Sequence, residues 1–357
     1  GHGTESSITL SKMVIDRAPK NMSKVYFGLS GSDANESNIK LVWYYNNILN
    51  LPHKKKIISR WRAYHGSGLI TGSLTGLGTF HNKFDLPLNG ILHTETPHYL
   101  RRPDIDMSES EFTTFCVDKL KQLIDKEGAE TIAAFIGEPI LGTGGIIPPP
   151  KGYWEAIQKV LKDNDILLIA DEVVTGFGRL GSMFGSDHYN MTPDIITIAK
   201  GLTSAYAPLS GSIVSEKIWK VLEQGTDENG PIGHGWTYSA HPICAAAGVA
   251  NLKCLDDMNL INNVKEVGQY LLDQLNNAFE NHPLVEIGIH PNFSKNNNPL
   301  TCVRELRKIY PNSIGSRSHQ NICGRHVTDA LFNCGYKYHV NKLLWNVSYA
   351  ECTLLYN

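Results

Sequence analysis

The chain of 357 residues contains no apolar run approaching the roughly 18 residues that a membrane-spanning helix needs, so no membrane partner is expected. Its opening, GHGTESSITLSKM, lacks a basic stretch followed by an apolar core, and no secretion signal is expected there. It also begins with glycine rather than methionine. The seven cysteines form no CxxC pair and show no Cys/His spacing of the zinc type, so no metal is expected. An odd cysteine count without a secretion signal favours reduced thiols and a cytoplasmic location. Charge of one sign is lacking too: 33 basic against 35 acidic residues leave a net charge of -2, which gives no electrostatic case for nucleic acid. No GxxxxGK[ST] pattern occurs, and GSGLITGSLTG does not follow a strand as a dinucleotide fingerprint should, so nucleotide binding is disfavoured.

What is present is an ordinary globular composition, 41% hydrophobic and 19% charged, of a length that suggests about two domains. From about residue 25 to 215, short apolar runs alternate with amphipathic stretches. That is the pattern of an α/β fold, a largely parallel sheet with helices on both faces. KVYFGL, KKIISRW, TIAAFIGEP, ILLIADEV, DIITIAK and LSGSIVS read as strands. DANESNIKLVWYYNNIL, SESEFTTFCVDKLKQLIDKEG and GYWEAIQKVLKDND read as helices, and SAHPICAAAGVANLKCL as a tightly packed one. INNVKEVGQYLLDQLNNAFENH is a long amphipathic helix that opens a second domain, giving boundaries of 1–255 and 256–357. After Ile287 the periodicity breaks, Asn and Ser become frequent, and Cys302, Cys323, Cys334 and Cys352 follow.

Four features fall at strand ends. SGSDANE, Ser30 to Glu36, joins a strand to a helix, where small residues let backbone N–H groups approach an anion; a plain turn explains it equally well. Tyr64, in YHGSG, can stack on a planar ligand or simply close the core edge. Asp171 and Glu172 end a strongly apolar strand, so at least one carboxylate belongs at the sheet's carboxyl edge, where burial demands a cationic or protonated partner. Lys200 ends another strand in TIAKG; for a lysine taken alone, solvation at a strand terminus is the commoner case. Together an aspartate, a lysine, a Ser/Gly cradle and an aromatic on one edge suit a planar phosphorylated cofactor with a basic ring nitrogen. Pyridoxal 5′-phosphate answers that description.

The segment LLIADEVVTGFGRLGSMFGSDHYNMTPDIITIAKGLTSAYAPLSG resembles the signature of class III aminotransferases of the pyridoxal-phosphate fold type I. SGSDANE, YHG, GEPILGTGG and HGWTYSAHPICAAAGVANL resemble the same family in the same order, over residues 25 to 287. Within it the chain looks most like the ω-amine:pyruvate transaminases. The resemblance implies a mostly parallel seven-stranded-type sheet with a smaller C-terminal α/β domain. It also implies ping-pong transfer of an amino group from an amine or ω-amino acid to a keto acid such as pyruvate. Lys200 is then the lysine that forms the Schiff base and shuttles the proton, and Asp171 the partner of the ring nitrogen. Val173 and Tyr64 pack on opposite faces of the ring, and Gly31 and Ser32 hold the phosphate. Glu138 is an active-site carboxylate. His65, beside the stacked tyrosine, is as readily structural as functional. Thr237 reaches the phosphate of the neighbouring subunit, which implies a homodimer.

Family members carry about a hundred residues before the point where this sequence begins, and the stretch beyond Ile287 does not resemble the family's small domain. An N-terminally truncated chain with an atypical tail is therefore expected, and a frame change or altered splice would produce such a tail. Arg304, Arg307, Arg317 and Arg325 are candidates for the substrate carboxylate by residue type alone. A cofactor-binding chain of little activity, or a relative acting as aminomutase or decarboxylase, stand as alternatives.

Overall fold

The computed structural model describes residues 3–279. Helix α1 (Glu5–Arg17) starts at Thr4, whose hydroxyl accepts the Ser7 N–H in a reciprocal cap. It leads into β1 (Met22–Gly28), α2 (Gly31–Ile48), β2 (Lys56–Arg60) and the short α3 (Leu69–Leu74). Next come β3 (Ile91–Thr94), α4 (Glu109–Glu127), β4 (Ile132–Gly137), α5 (Tyr153–Asp163) and β5 (Leu167–Asp171). The single turn α6 (Gly185–His188) precedes β6 (Ile195–Ile198), β7 (Ser210–Ser215) and α7 (Glu216–Asn229). Helices α8 (Pro242–Asp257) and α9 (Leu260–Phe279) complete the described chain. Sequence reading missed α1, α3, β3, α6 and α7, of which α3, β3 and α6 are short.

The seven strands form one sheet in the order β1-β7-β6-β5-β4-β2-β3. β7 runs antiparallel to both of its neighbours, β1 and β6, and every other pairing is parallel. Six strands therefore share one direction and end on one edge.

Period-two alternation splits each strand between two apolar layers. Ile58, Phe135, Leu168 and Ile196 pack with Leu10 and Val14 of α1, Leu120 of α4, Trp154 of α5 and Leu252 of α8. Ile57, Ile136, Ile169 and Ile195 pack with Val42 of α2, Leu74 of α3 and Leu222 of α7. Near-continuous apolar strands buried on both sides are what a covered parallel sheet requires.

Residues 1–268 form one compact unit, so it runs past the boundary expected at 255, which falls in the last turn of α8. A second unit begins at Gln269. The small C-terminal domain expected over 256–357, and with it Arg304, Arg307, Arg317 and Arg325, lies mostly or wholly outside the described residues. Among the described residues no helix is long and apolar enough to cross a membrane, and no group of three or more His, Cys, Asp or Glu is arranged to hold a metal ion.

Candidate active site

Open parallel sheets bind ligands beyond the carboxyl ends of their strands, and the expected site residues follow those ends here. Gly31 and Ser32 follow β1 and open α2, Tyr64 and His65 follow β2, and Glu138 follows β4. Asp171 closes β5, Val173 lies just beyond it, and Lys200 follows β6.

Asp171 is 3% exposed. Its Oδ2 accepts from the Asn35 side-chain amide at 2.8 Å and lies 2.7 Å from His65 Nδ1. A carboxylate oxygen there makes that ring nitrogen the donor. Among the described residues Oδ1 accepts only the Val173 N–H, at 3.1 Å. A carboxylate offers about four acceptor positions, so one on Oδ1 is left open. His65 is itself buried, and its Nε2 has no hydrogen-bond partner among the described residues.

Behind Asp171 runs a buried relay that the sequence reading did not single out. Asn35 also donates to the His65 carbonyl at 2.9 Å, which fixes which end of its amide faces Asp171. Its Oδ1 accepts the Thr197 hydroxyl at 2.7 Å, and Thr197 Oγ1 accepts from Asn38 at 2.8 Å. Two signals existed: Thr197 is the polar residue in an apolar strand, and Asn35 and Asn38 lie three apart on one helix face.

The cradle is built by close approach. A Cβ on Gly31 would sit 3.0 Å from Val173 Cγ2, so glycine lets α2 start tightly against that side chain. Ser30 caps the helix, its hydroxyl accepting the Asp33 N–H at 3.2 Å. Ser32 Oγ accepts the Ser67 N–H at 3.3 Å, and Gly66, at φ +136°, gives the neighbouring loop a backbone shape that favours glycine. Ser210 Oγ, at the start of β7, is buried without a partner among the described residues.

Glu138 fixes the Tyr64 loop. Its Oε1 accepts the Tyr64 N–H at 3.0 Å and its Oε2 the Gly142 N–H at 2.7 Å. Burial raises its pKa above the usual carboxylate range; His65 works against that, and the nearby Asp171 adds to it. The Tyr64 ring meets Phe80 edge-on at 5.3 Å. Arg60, fully buried, donates to the Glu138 carbonyl at 2.6 Å and lies over the Trp154 ring at 5.0 Å.

Lys200 has φ +41°, a left-handed conformation uncommon for a residue with a Cβ, and strain of this kind gathers at functional sites. Asn251 of α8 holds the turn: it donates to the carbonyls of Gly201 at 2.8 Å and Leu202 at 3.2 Å, while Ser204 donates to it at 2.7 Å. No hydrogen bond or ion pair engages the Lys200 ammonium among the described residues. Thr237 stands apart. It is exposed on the loop before α8, and no hydrogen bond joins it to the other candidate residues within this single chain.

A family model described as Aminotransferase class-III matches residues 1–287, and one described as Polysaccharide deacetylase matches residues 271–354. The chain is 58% identical, over 287 residues, to a diaminobutyrate–2-oxoglutarate transaminase of Halomonas elongata, covering 80% of this chain and 61% of that one. It is 48% identical, over 283 residues, to a probable γ-aminobutyrate transaminase 3, mitochondrial, of Oryza sativa subsp. indica, covering 79% and 55%. The chain thus spans between about half and three-fifths of the length of these curated relatives. Among solved structures, the ω-transaminase of Pseudomonas jessenii in complex with PMP superposes with a TM-score of 0.78 at 44% identity, covering 81% and 64%. A structure described as a transaminase with L-Ala gives 0.80 at 38%, covering 93% and 84%. Because the first match runs through every strand and helix described, the chain belongs to the class III aminotransferases.

Proposed function

We propose that the chain is a pyridoxal 5′-phosphate-dependent transaminase that moves an amino group from an amine or ω-amino acid to a keto acid such as pyruvate, in two half-reactions at one site. The observation that carries this is Asp171: a buried carboxylate, gripped on one oxygen and open on the other, on the strand-end edge that also bears Lys200. The residues fit the cofactor. An open acceptor position suits a protonated ring nitrogen, the helix N-terminus at Gly31 and Ser32 suits a phosphate, and His65 Nε2 and Ser210 Oγ are polar atoms without partners among the described residues.

The cofactor, when bound, supplies an electron-poor ring that takes up the electron pair of a broken C–H bond. Asp171 holds the proton on the ring nitrogen through a charge-assisted hydrogen bond. Val173 and Tyr64 confine the ring from its two faces. The α2 N–H groups bind the phosphate, helped by the helix dipole. Lys200 would hold the cofactor through its side-chain amine and, with that amine free, would move the proton from the amine-bearing carbon of the substrate. Thr237 of the partner subunit completes the phosphate site in a homodimer.

The test is spectroscopic. Chain loaded with pyridoxal phosphate should absorb visibly, lose that absorbance with an amine donor and regain it with pyruvate. Borohydride should fix the cofactor to Lys200 and leave none fixed in Lys200→Ala. Turnover that needs no keto-acid acceptor would point to the aminomutase or decarboxylase alternatives.

A further inference from the structure

The loop that carries Thr237 is tied to α2 by a hydrogen-bond cluster whose polarity is set without ambiguity. Ser37 Oγ, on fully buried Ser37, donates to the Asp33 carbonyl at 2.7 Å, so its hydroxyl proton is committed. It must then accept from the Trp236 indole N–H at 3.0 Å, because an indole only donates. It must also accept from His234 Nε2 at 2.8 Å. The other ring nitrogen, Nδ1, lies 3.0 Å from the Lys40 ammonium, which again only donates. His234 is therefore the neutral tautomer with its proton on Nε2. The Trp236 and Ser239 ends of the loop are held from β1 as well. The Tyr26 hydroxyl accepts the Trp236 N–H at 3.0 Å and lies 2.8 Å from Ser239 Oγ.

Trp236 also reaches the cradle end of the site. A Cβ on Gly28, three residues before Gly31, would lie 3.7 Å from the Trp236 indole Cδ1. We propose that Ser37, Lys40, His234 and Trp236 form a latch that positions the Thr237 loop on the helix whose N-terminus cradles phosphate, and that the latch holds only while His234 is neutral. The latch rests on the reading of Thr237 given above for its effect on cofactor, but not for its own existence.

Protonating His234 would put an N–H where Nδ1 now accepts, directly against the Lys40 ammonium. The groups facing His234 are Lys40 and Ser37 from α2, the Tyr26 ring from β1, at 5.5 Å between centroids, and the Trp236 ring, at 5.7 Å, and no carboxylate pairs with it among the described residues. Burial, and then Lys40, lower its pKa, which keeps the latch closed at neutral pH. In a C2 dimer the same helix would grip its own phosphate and steady the loop serving the partner's, so the two sites would be coupled through Ser37.

Hydrogen exchange of amides 232–239, expressed as protection factors, and the dissociation constant for pyridoxal phosphate test this in the 357-residue chain. Ser37→Ala should lower protection of the loop and weaken cofactor binding about tenfold, the order expected for losing one hydrogen bond to a charged group. In the native chain, protection should fall on acidification; in Lys40→Met, where the opposing charge is gone, acid should leave the loop closed. Unchanged protection in Ser37→Ala, or acid opening that persists unaltered in Lys40→Met, would overturn the latch. Lower protection with undiminished cofactor affinity would overturn its role in binding and place Thr237 away from the phosphate. If the native chain binds no cofactor, the transaminase reading fails, and the exchange results still decide the latch.

Discussion

Asp171 and Glu172 are neighbours at the end of one strand, both buried, and they face opposite sides of the sheet into different surroundings. Glu172, fully buried, accepts four donors: Thr175 Oγ1, the Gly185 and Ser186 N–H groups and Ser186 Oγ, at 2.5–2.8 Å. Burial raises its pKa, and these hydrogen bonds pull against that rise. All of its acceptor positions are used within the chain, so it anchors the turn at α6 and has nothing left for a ligand. Asp171 accepts three donors and keeps one position open. The difference between the two carboxylates is thus a matter of unspent hydrogen-bonding capacity, since burial and chemistry are nearly equal.

Lys200→Ala should break the site most severely. Positioned acid–base catalysis alone contributes about 10²–10⁴-fold, and covalent tethering would be lost with it. Single-turnover loss of the cofactor's absorbance with an amine donor measures this, and a rate within tenfold of native would remove Lys200 from the mechanism. Asp171→Asn should retain cofactor but slow the same half-reaction about a hundredfold, because an amide can bond the ring nitrogen without holding its proton by charge. Near-native turnover would mean that another group supplies the charge. Glu172, with four donors already satisfied, is poorly placed to be that group.

Glu172→Gln should do the reverse. Turning one acceptor oxygen into an NH2 sets it against a backbone N–H, of Gly185 or Ser186, that cannot accept, at a cost of about 1–3 kcal/mol of stability. Urea titration should show the loss, while the half-reaction rate per folded molecule stays native. A slowed half-reaction with unchanged stability would reverse the roles assigned to the two carboxylates.

A smaller effect sharpens the contrast between a histidine paired with a carboxylate and one that is not. His65 has Asp171, whereas His93 stacks on Trp61 at 4.4 Å and its Nε2 has no partner among the described residues. Burial first, then the nearby His81, lower the His93 pKa to about 4 from an ordinary 6.5. Above pH 6.5 it is neutral whether the chain is folded or not, and its contribution is complete. Between 6.5 and 4 the unfolded chain takes up a proton that the folded chain refuses, so stability falls as pH falls through that window. His98, lowered to about 4 by burial and Arg101, adds to the same slope. Melting temperature followed from pH 7 to 4 should decline, and His93→Phe should flatten part of the decline. An identical slope in that variant would assign the acid sensitivity elsewhere.

Much of this was legible in the primary structure. Apolar strands of four to seven residues, most of them ending in a polar residue or glycine, announced a covered parallel sheet and the edge where chemistry collects. Lys200, Asp171, Tyr64 and the Ser30–Ser32 turn stood out because a polar or small residue at the end of an apolar run has no role in the core. The change of texture after Ile287 coincides with the end of the class III match, and the second match continues to residue 354. Helix α1 escaped notice because its apolar stripe is weak, whereas α7 carries a clear one, with Ile218 and Leu222 buried four residues apart, that the reading passed over.

By itself the sequence determined which residues sit at strand ends and on which face, since alternation along a strand is a local, covalent consequence of backbone geometry. The tertiary structure alone decided which of two adjacent carboxylates would be saturated. It also decided that Asn35, Thr197 and Asn38 would line up behind Asp171, and that Ser37 would meet His234 and Trp236 across some two hundred residues of chain. Hydrogen-bond capacity is spent between partners distant in sequence, so the count of what remains open can be made only once the chain has folded.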